Sequence, residues 1–212
     1  VMMRNNQLQI EADMLTILSE DEAAAVRLRI EKALDIRSEP EDLPLLVKSD
    51  VMAQLRPEMK KVAKIIRKAV FTSQPIILRH HADADGICSA VAIEQAVVAL
   101  IRESGGDFDA DYFLFKRAPS KAPFYEIEDI TRDLDFSTKD HIRYGQKMPL
   151  VLLTDNGSTE EDEPAYRIAS VYDIPFVVID HHHPDATIDK YLLAHVNPYH
   201  VGGDFGITAG ML

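Results

Sequence analysis

Three short apolar runs, each stopping abruptly at a polar cluster, constrain the fold of this chain more than any other feature. Pro75–Leu78 runs into RHHADADGIC (Arg79–Cys88), Leu150–Leu153 into TDNGST (Thr154–Thr159), and Phe176–Ile179 into DHHHPD (Asp180–Asp185). Runs of helical character lie among them: Ile87–Ile101, rich in Ala and Val, then Phe124–Leu134 and Glu161–Tyr172. Tyr112–Phe115 reads as a further strand and Leu192–Val196 as a short last one. Strand-like runs alternating with helical ones predict βαβ units, hence an α/β fold with a mainly parallel β-sheet flanked by helices. In such sheets the carboxyl ends of neighbouring strands open into one crevice. The three polar clusters are therefore expected to meet in a single site.

The remainder of the chain bounds the function less tightly. With 212 residues, 46% of them hydrophobic, it can build one domain with an appendage. Val1–Asp50 reads as that appendage, with a helix over Glu22–Leu34 capped by Ser19 or Asp21 and broken off before Pro40 and Pro44. Residues 57–212 form the main domain. Pro57 fits a first helical turn, and Val62, Ile65, Ile66 and Ala69 then mark one packed helix face. The opposite face carries Arg56, Lys60, Lys61, Lys64, Arg67 and Lys68. Such a face is either simply solvated or a contact surface for phosphates. A net charge of -12 argues against a protein that coats duplex DNA, though not against a nuclease whose carboxylates hold cations. The single cysteine, Cys88, rules out an intrachain disulfide and fits a reducing, cytoplasmic setting. No uninterrupted apolar stretch long enough to span a membrane is read, and the first residues do not resemble a secretory signal.

Chemistry is concentrated in the clusters. His80, His81, Asp83 and Asp85 crowd one short segment, where like charges repel unless cations sit among them; a polar turn with a helix cap is the plain alternative. Gly86 permits a sharp turn into the next helix. Asp155 directly follows its apolar run, Asn156-Gly157 makes a tight turn, and Ser158 or Thr159 can cap the next helix; turns and caps alone produce the same pattern. Asp180 precedes three histidines closed off by Pro184, which core packing does not explain; imidazoles there can bind metal, orient ligands or protonate a leaving oxygen, with a solvated loop as the plain alternative. Carboxylates and imidazoles suit Mn²⁺, Mg²⁺ or Zn²⁺. Two ions about 3.5–4 Å apart, bridged by a carboxylate or water, activate a water and steady both oxygens of a displacement at phosphorus.

At these residues the chain resembles a known family. HADADG (His81–Gly86), the aspartate of DNG (Asp155) and DHH (Asp180–His182) look like the first three motifs of the DHH phosphoesterase superfamily, in the same order and at strand ends. DNGSTEED, IDHHHPD and HVNPYHVGGDFGITAG most resemble the archaeal RecJ-like single-strand nucleases. From about Ile76 to the C-terminus the resemblance implies a DHH-type domain using Mn²⁺ or Mg²⁺, two ions in the complete domain. It also implies exonucleolytic hydrolysis of single-stranded DNA or RNA, with replication or repair proteins as partners and no membrane. It assigns His81 and Asp83 to the first metal, Asp85 and His181 to the second, and Asp155 to both as the bridge. Asp180 would fix imidazole geometry, and His182 would contact phosphate or protonate the leaving oxygen. Lys60, Lys61, Lys64, Arg67 and Lys68 would add phosphate contacts. The family pattern has a fourth aspartate well beyond Asn197-Pro198. Here fourteen residues follow Pro198, and Asp204 is the only aspartate among them. The expectation is a domain that is C-terminally incomplete and lacks its substrate-binding partner. Rival readings are a pyrophosphatase, a phosphodiesterase of short oligonucleotides or cyclic dinucleotides, and a replisome scaffold without catalysis. Cys88 is expected to pack rather than react.

Overall fold

A computed structural model describes residues 2–4, 7–9, 12, 14–104 and 109–212. The chain divides into two compact units, Val1–Ile36 and Arg37–Leu212, so the division falls earlier than the expected one near residue 50. The first unit holds an antiparallel pair, β1 (Met2–Arg4) with β2 (Gln7–Gln9), and most of helix α1 (Glu20–Ser38). Of the two cap candidates it is Ser19 that serves, its hydroxyl accepting from the Glu22 amide at 3.4 Å.

The second unit is built on a five-stranded sheet. Its strands are β3 (Ile76–His81), β4 (Phe115–Ser120), β5 (Leu150–Thr154), β6 (Phe176–Ile179) and β7 (Leu192–Val196), in the order β4-β3-β5-β6-β7. Every neighbouring pair is parallel, as expected. The central strands are continuous apolar runs because helices cover both faces. Side chains alternate between two cores with the period of a strand. Ile76, Leu78, Leu150, Leu152 and Val177 pack toward α2 (Asp50–Phe71) and α3 (Ala84–Glu103). Ile77, Val151, Leu153, Phe176 and Val178 pack toward α5 (Ile127–Tyr144) and α6 (Glu163–Ser170), with Tyr125 and Tyr166 fully buried among them.

Several boundaries differ from expectation. Where a strand is read over Tyr112–Phe115, the chain forms one helical turn, α4 (Ala110–Leu114), and only then enters β4. That edge strand reads FKRAPS, with no apolar alternation, and it tolerates Pro119 because an edge can spare an amide donor. Pro57 lies well inside α2, since Ser49 starts the helix earlier by accepting from the Met52 amide at 3.1 Å. Helix α3 is long and apolar enough to cross a membrane by length and composition, at mean hydropathy 1.6, which the sequence reading did not register. Here it belongs to the core, burying Ala90, Val97 and Ile101.

Inside the sheet Arg79 of β3 makes a buried ionic tie to α5. Its guanidinium forks onto Asp133 at 3.0 and 2.6 Å and reaches Asp129 at 2.9 Å, while the Tyr125 hydroxyl donates to Asp133 at 3.0 Å. The strand order changes direction between β3 and β5: the chain passes from β3 outward to β4, then returns to β5 on the other side. Crevices open at such reversals, at the carboxyl ends of the strands. All three polar clusters start there.

Candidate metal centre

The end of β3 delivers the first ligands. Asp83 caps α3, its carboxylate accepting from the Gly86 amide at 2.9 Å, and its other oxygen lies 3.2 Å from His81 Nδ1. His81 Nδ1 is also 3.6 Å from Asp155 Oδ2. Gly86 is required by close approach rather than by a special φ: a Cβ there would sit 2.2 Å from the His81 carbonyl oxygen and 3.0 Å from Asp155.

β5 delivers Asp155 in an unusual posture. Its φ of 58° is left-handed, which an L-aspartate tolerates better than most side chains. Its side chain is 1% exposed, and neither carboxylate oxygen has a hydrogen-bond partner among the described residues. Burial first, and then the neighbouring Asp83 carboxylate, push its pKa up to about 8. Asp83 stays below its ordinary value: burial raises it, but the Gly86 amide and its other partners outweigh burial. A buried carboxylate without a partner costs stability unless a cation or a proton satisfies it.

β6 supplies the opposite wall. His181 Nε2 lies 3.1 Å from Asp155 Oδ1 and 3.7 Å from Asp85 Oδ2, while its Nδ1 donates to the Phe205 carbonyl at 3.0 Å. His182 donates from Nδ1 to the buried Asp180 at 2.7 Å. That carboxylate raises the imidazole to about 9, and the imidazole in turn holds Asp180 low against the upward push of its burial. Asp180 Oδ1 also accepts from the His181 amide at 2.8 Å, so it fixes the whole turn.

Asp155 is thus shared by two triplets of close ligand atoms: His81, Asp83 and Asp155 on one side, and Asp155, His181 and His182 on the other. Seven residues named from the sequence meet here: His81, Asp83, Asp85, Asp155, Asp180, His181 and His182. Asp85 stands slightly apart, its two oxygens accepting from the amides of Ala209 and Gly210 at 2.7 and 2.9 Å. Asp204 is exposed and turned into its own loop, accepting from the Gly206 amide at 2.8 Å. The basic face of α2 is engaged within the chain: Arg56 and Lys60 with Asp42, Lys61 with Glu58, Lys64 with Glu39, and Arg67 with the carbonyls of Arg37 and Ser38. Cys88 is exposed rather than packed.

The sequence reading passed over four contributors. Asn156, taken for a turn residue, is fully buried directly after Asp155, with no partner for its amide oxygen or nitrogen among the described residues. Asn197 donates to the His182 carbonyl at 2.9 Å and to Ser158 at 3.3 Å. Phe205 orients His181 through its backbone, which no side-chain pattern reveals. His80, counted only as part of the cluster, is buried with Nδ1 on the His81 carbonyl and Nε2 accepting from Arg117 at 3.3 Å, so it braces the β3 end.

The pattern described as "DHH family, N-terminal domain" matches residues 75–211. An uncharacterised protein of Methanocaldococcus jannaschii is 52% identical over the whole of this chain, which covers 29% of that protein. A solved structure described as the DHH domain of a member of a family of ribosomal proteins superposes with a TM-score of 0.87 at 47% identity. It covers 91% of this chain and 46% of the other. The chain therefore spans less than half the length of either relative.

Proposed function

Because the chain belongs to the DHH family, a phosphoesterase superfamily whose domains use divalent metals, we propose that it forms the metal-binding half of a nuclease. Its reaction would be hydrolysis of phosphodiester bonds in single-stranded DNA or RNA, in the manner of the RecJ-like exonucleases. The observation that carries the reading is Asp155: buried, without a hydrogen-bond partner among the described residues, and set between His81 and Asp83 on one side and His181 on the other. The donor set fits divalent cations, because Asp155 faces the Asp83 carboxylate on one side and His181 Nε2 on the other. His81, Asp83 and Asp155 would hold one Mn²⁺ or Mg²⁺, and Asp155 and His181, with Asp85 close by, a second. Bound there, such ions lower the pKa of water and offset charge building on phosphoryl oxygens.

The chain's own residues account for the remaining steps. The Asp180 carboxylate favours the protonated form of His182, whose Nε2–H would protonate a leaving alkoxide or donate to a phosphate oxygen. Phe205 keeps the proton of His181 on Nδ1, so that Nε2 presents its lone pair to the cradle. The assay is Mn²⁺-dependent cleavage by the protein at its full length, comparing end-labelled single-stranded DNA and RNA, dinucleotides and pyrophosphate. Stepwise shortening of single strands, abolished by chelator, is expected. Hydrolysis confined to pyrophosphate or dinucleotides overturns the nuclease reading.

A further inference from the structure

A second cluster of ligating side chains lies apart from the centre just described, and the phosphoesterase reading makes no use of it. Asp189 opens a 3-10 turn before β7, His195 lies on β7, and His200 sits in the 3-10 turn after it. One ligand atom from each falls within 4.8 Å of the others. His195 Nδ1 is 3.0 Å from Asp189 Oδ1, and the His195 and His200 rings meet edge-on at 88° with centroids 4.5 Å apart. Asp189 and His200 are exposed while His195 is buried, so the cluster forms one wall of an open cavity of about 340 Å³ that Glu58 and Lys61 also line.

We propose that Asp189, His195 and His200 form a separate divalent-metal site of the zinc class. Two imidazoles with one carboxylate favour Zn²⁺, Co²⁺ or Ni²⁺ over the hard, oxygen-seeking Mg²⁺ or Ca²⁺. Tetrahedral Zn²⁺ with bonds of about 2.0–2.1 Å separates its ligand atoms by about 3.4 Å, so the cluster closes on an ion with small side-chain movements. The open cavity leaves room for water at the fourth position. The buried imidazole is also held as metal-bound histidines usually are. Its Nε2 is 2.9 Å from Ser158 Oγ, which can take the Nε2 proton and leave Nδ1 as the ligand. Asn197 bonds both Ser158 and the His182 carbonyl, so an ion at this site would stiffen the backbone behind His182 without touching substrate.

The alternative is a simple His–Asp hydrogen bond, and metal stoichiometry separates the two. Both exposed ligands can be replaced with little risk to folding, in D189N/H200A. Titration with Zn²⁺ alone, read by calorimetry and by bound metal after desalting, is expected to give one ion per chain fewer in this variant than in the parent. In D155N the site remains and still takes Zn²⁺. Thermal melts supply a readout independent of activity: Zn²⁺ raises the Tm of D155N, and that increment falls when D189N/H200A is added. Equal stoichiometry in parent and D189N/H200A, or an unchanged Zn²⁺ increment, overturns the site. Either result leaves the phosphoesterase reading untouched, because no ligand is shared.

Discussion

His181 Nε2 lies 3.1 Å from Asp155 Oδ1, while His181 Nδ1 is held by the Phe205 carbonyl at 3.0 Å. A carbonyl only accepts, so the proton of a neutral imidazole must sit on Nδ1, and Nε2 offers a lone pair. A lone pair and a carboxylate oxygen this close repel unless positive charge lies between them. On its other side Asp155 meets the same problem with Asp83. The crevice is therefore short of positive charge, most of all at the buried Asp155, where either a proton or a divalent cation can supply it.

Metal uptake should release protons. Without metal, Asp155 has a pKa of about 8 and is largely protonated at pH 7; a ligating carboxylate must be ionised. Mn²⁺ titrations at pH 7 in buffers of different ionisation enthalpy should give a slope near one proton released, shrinking toward zero by about pH 9.5. Apparent affinity should rise with pH across the same range. Binding that releases no proton at pH 7 would mean that Asp155 is ionised beforehand or does not bind.

Much of this arrangement could be read from sequence because it is local in the chain. Strands β5 and β6 are buried on both faces, so they appear as bare apolar runs, and each ligand cluster follows its strand directly. The edge strand β4 escaped because Lys116, Arg117 and Pro119 leave no alternation, and Pro57 misled because the cap at Ser49 lies upstream of it. The cluster of Asp189, His195 and His200 and the bonds from Asp85 to Ala209 and Gly210 join residues through tertiary folding, and no periodicity encodes them. For the same reason the face of α2 looked free: Asp42 and Glu39, which pair with it, lie in an irregular stretch.

The basic face of α2 gives a binding prediction. Exposed ion pairs of this kind are worth about 0.2–1 kcal/mol each, so phosphates can displace Asp42 or Glu39 from Lys60 and Lys64. Replacing Lys60, Lys61, Lys64, Arg67 and Lys68 by Gln should weaken oligonucleotide binding and flatten its dependence on salt. Unchanged binding at low salt assigns the face to solvent and to internal pairing alone.

Arg79→Met should cost about 3–5 kcal/mol of unfolding free energy, because Asp129 and Asp133 would then face each other buried and uncompensated. Urea denaturation at pH 7 measures this. A loss below about 1 kcal/mol would show that the two acids find other partners or take up a proton cheaply.

Asp162 provides a pH signature of stability away from the metal centre. It is fully buried, accepting from the amides of Tyr125 and Thr159, yet burial raises its pKa from 3.8 to about 6. The folded state therefore holds its proton more tightly than the unfolded chain. The associated stability is complete below about pH 4 and is lost as pH rises through about 6, a change on the order of 3 kcal/mol. The stability difference between parent and Asp162→Asn should move by about 2 kcal/mol between pH 4.5 and 7, in favour of the parent at the acid end. A difference independent of pH would mean that Asp162 ionises normally.

Asp155→Asn is the sharpest test of the centre. Asparagine keeps the shape and is among the few residues that accept a φ of 58°, so the backbone should not suffer. The variant loses the charge that two cations would share, and at least one should leave. In the protein at its full length, with single-stranded oligonucleotide and saturating Mn²⁺, kcat should fall by at least about two orders of magnitude, or about 3 kcal/mol of transition-state stabilisation. Stability separates this loss from misfolding. Burial lifts Asp155 far above its unfolded value, so the metal-free parent loses stability progressively as pH rises from about 4 through about 8, whereas the variant has no proton to exchange there. The metal-free variant should therefore match the parent near pH 4 and exceed it by a growing margin up to about pH 8. Near-parental turnover would remove Asp155 from the mechanism. Lost turnover accompanied by lost stability at every pH would show that its role is to hold the fold.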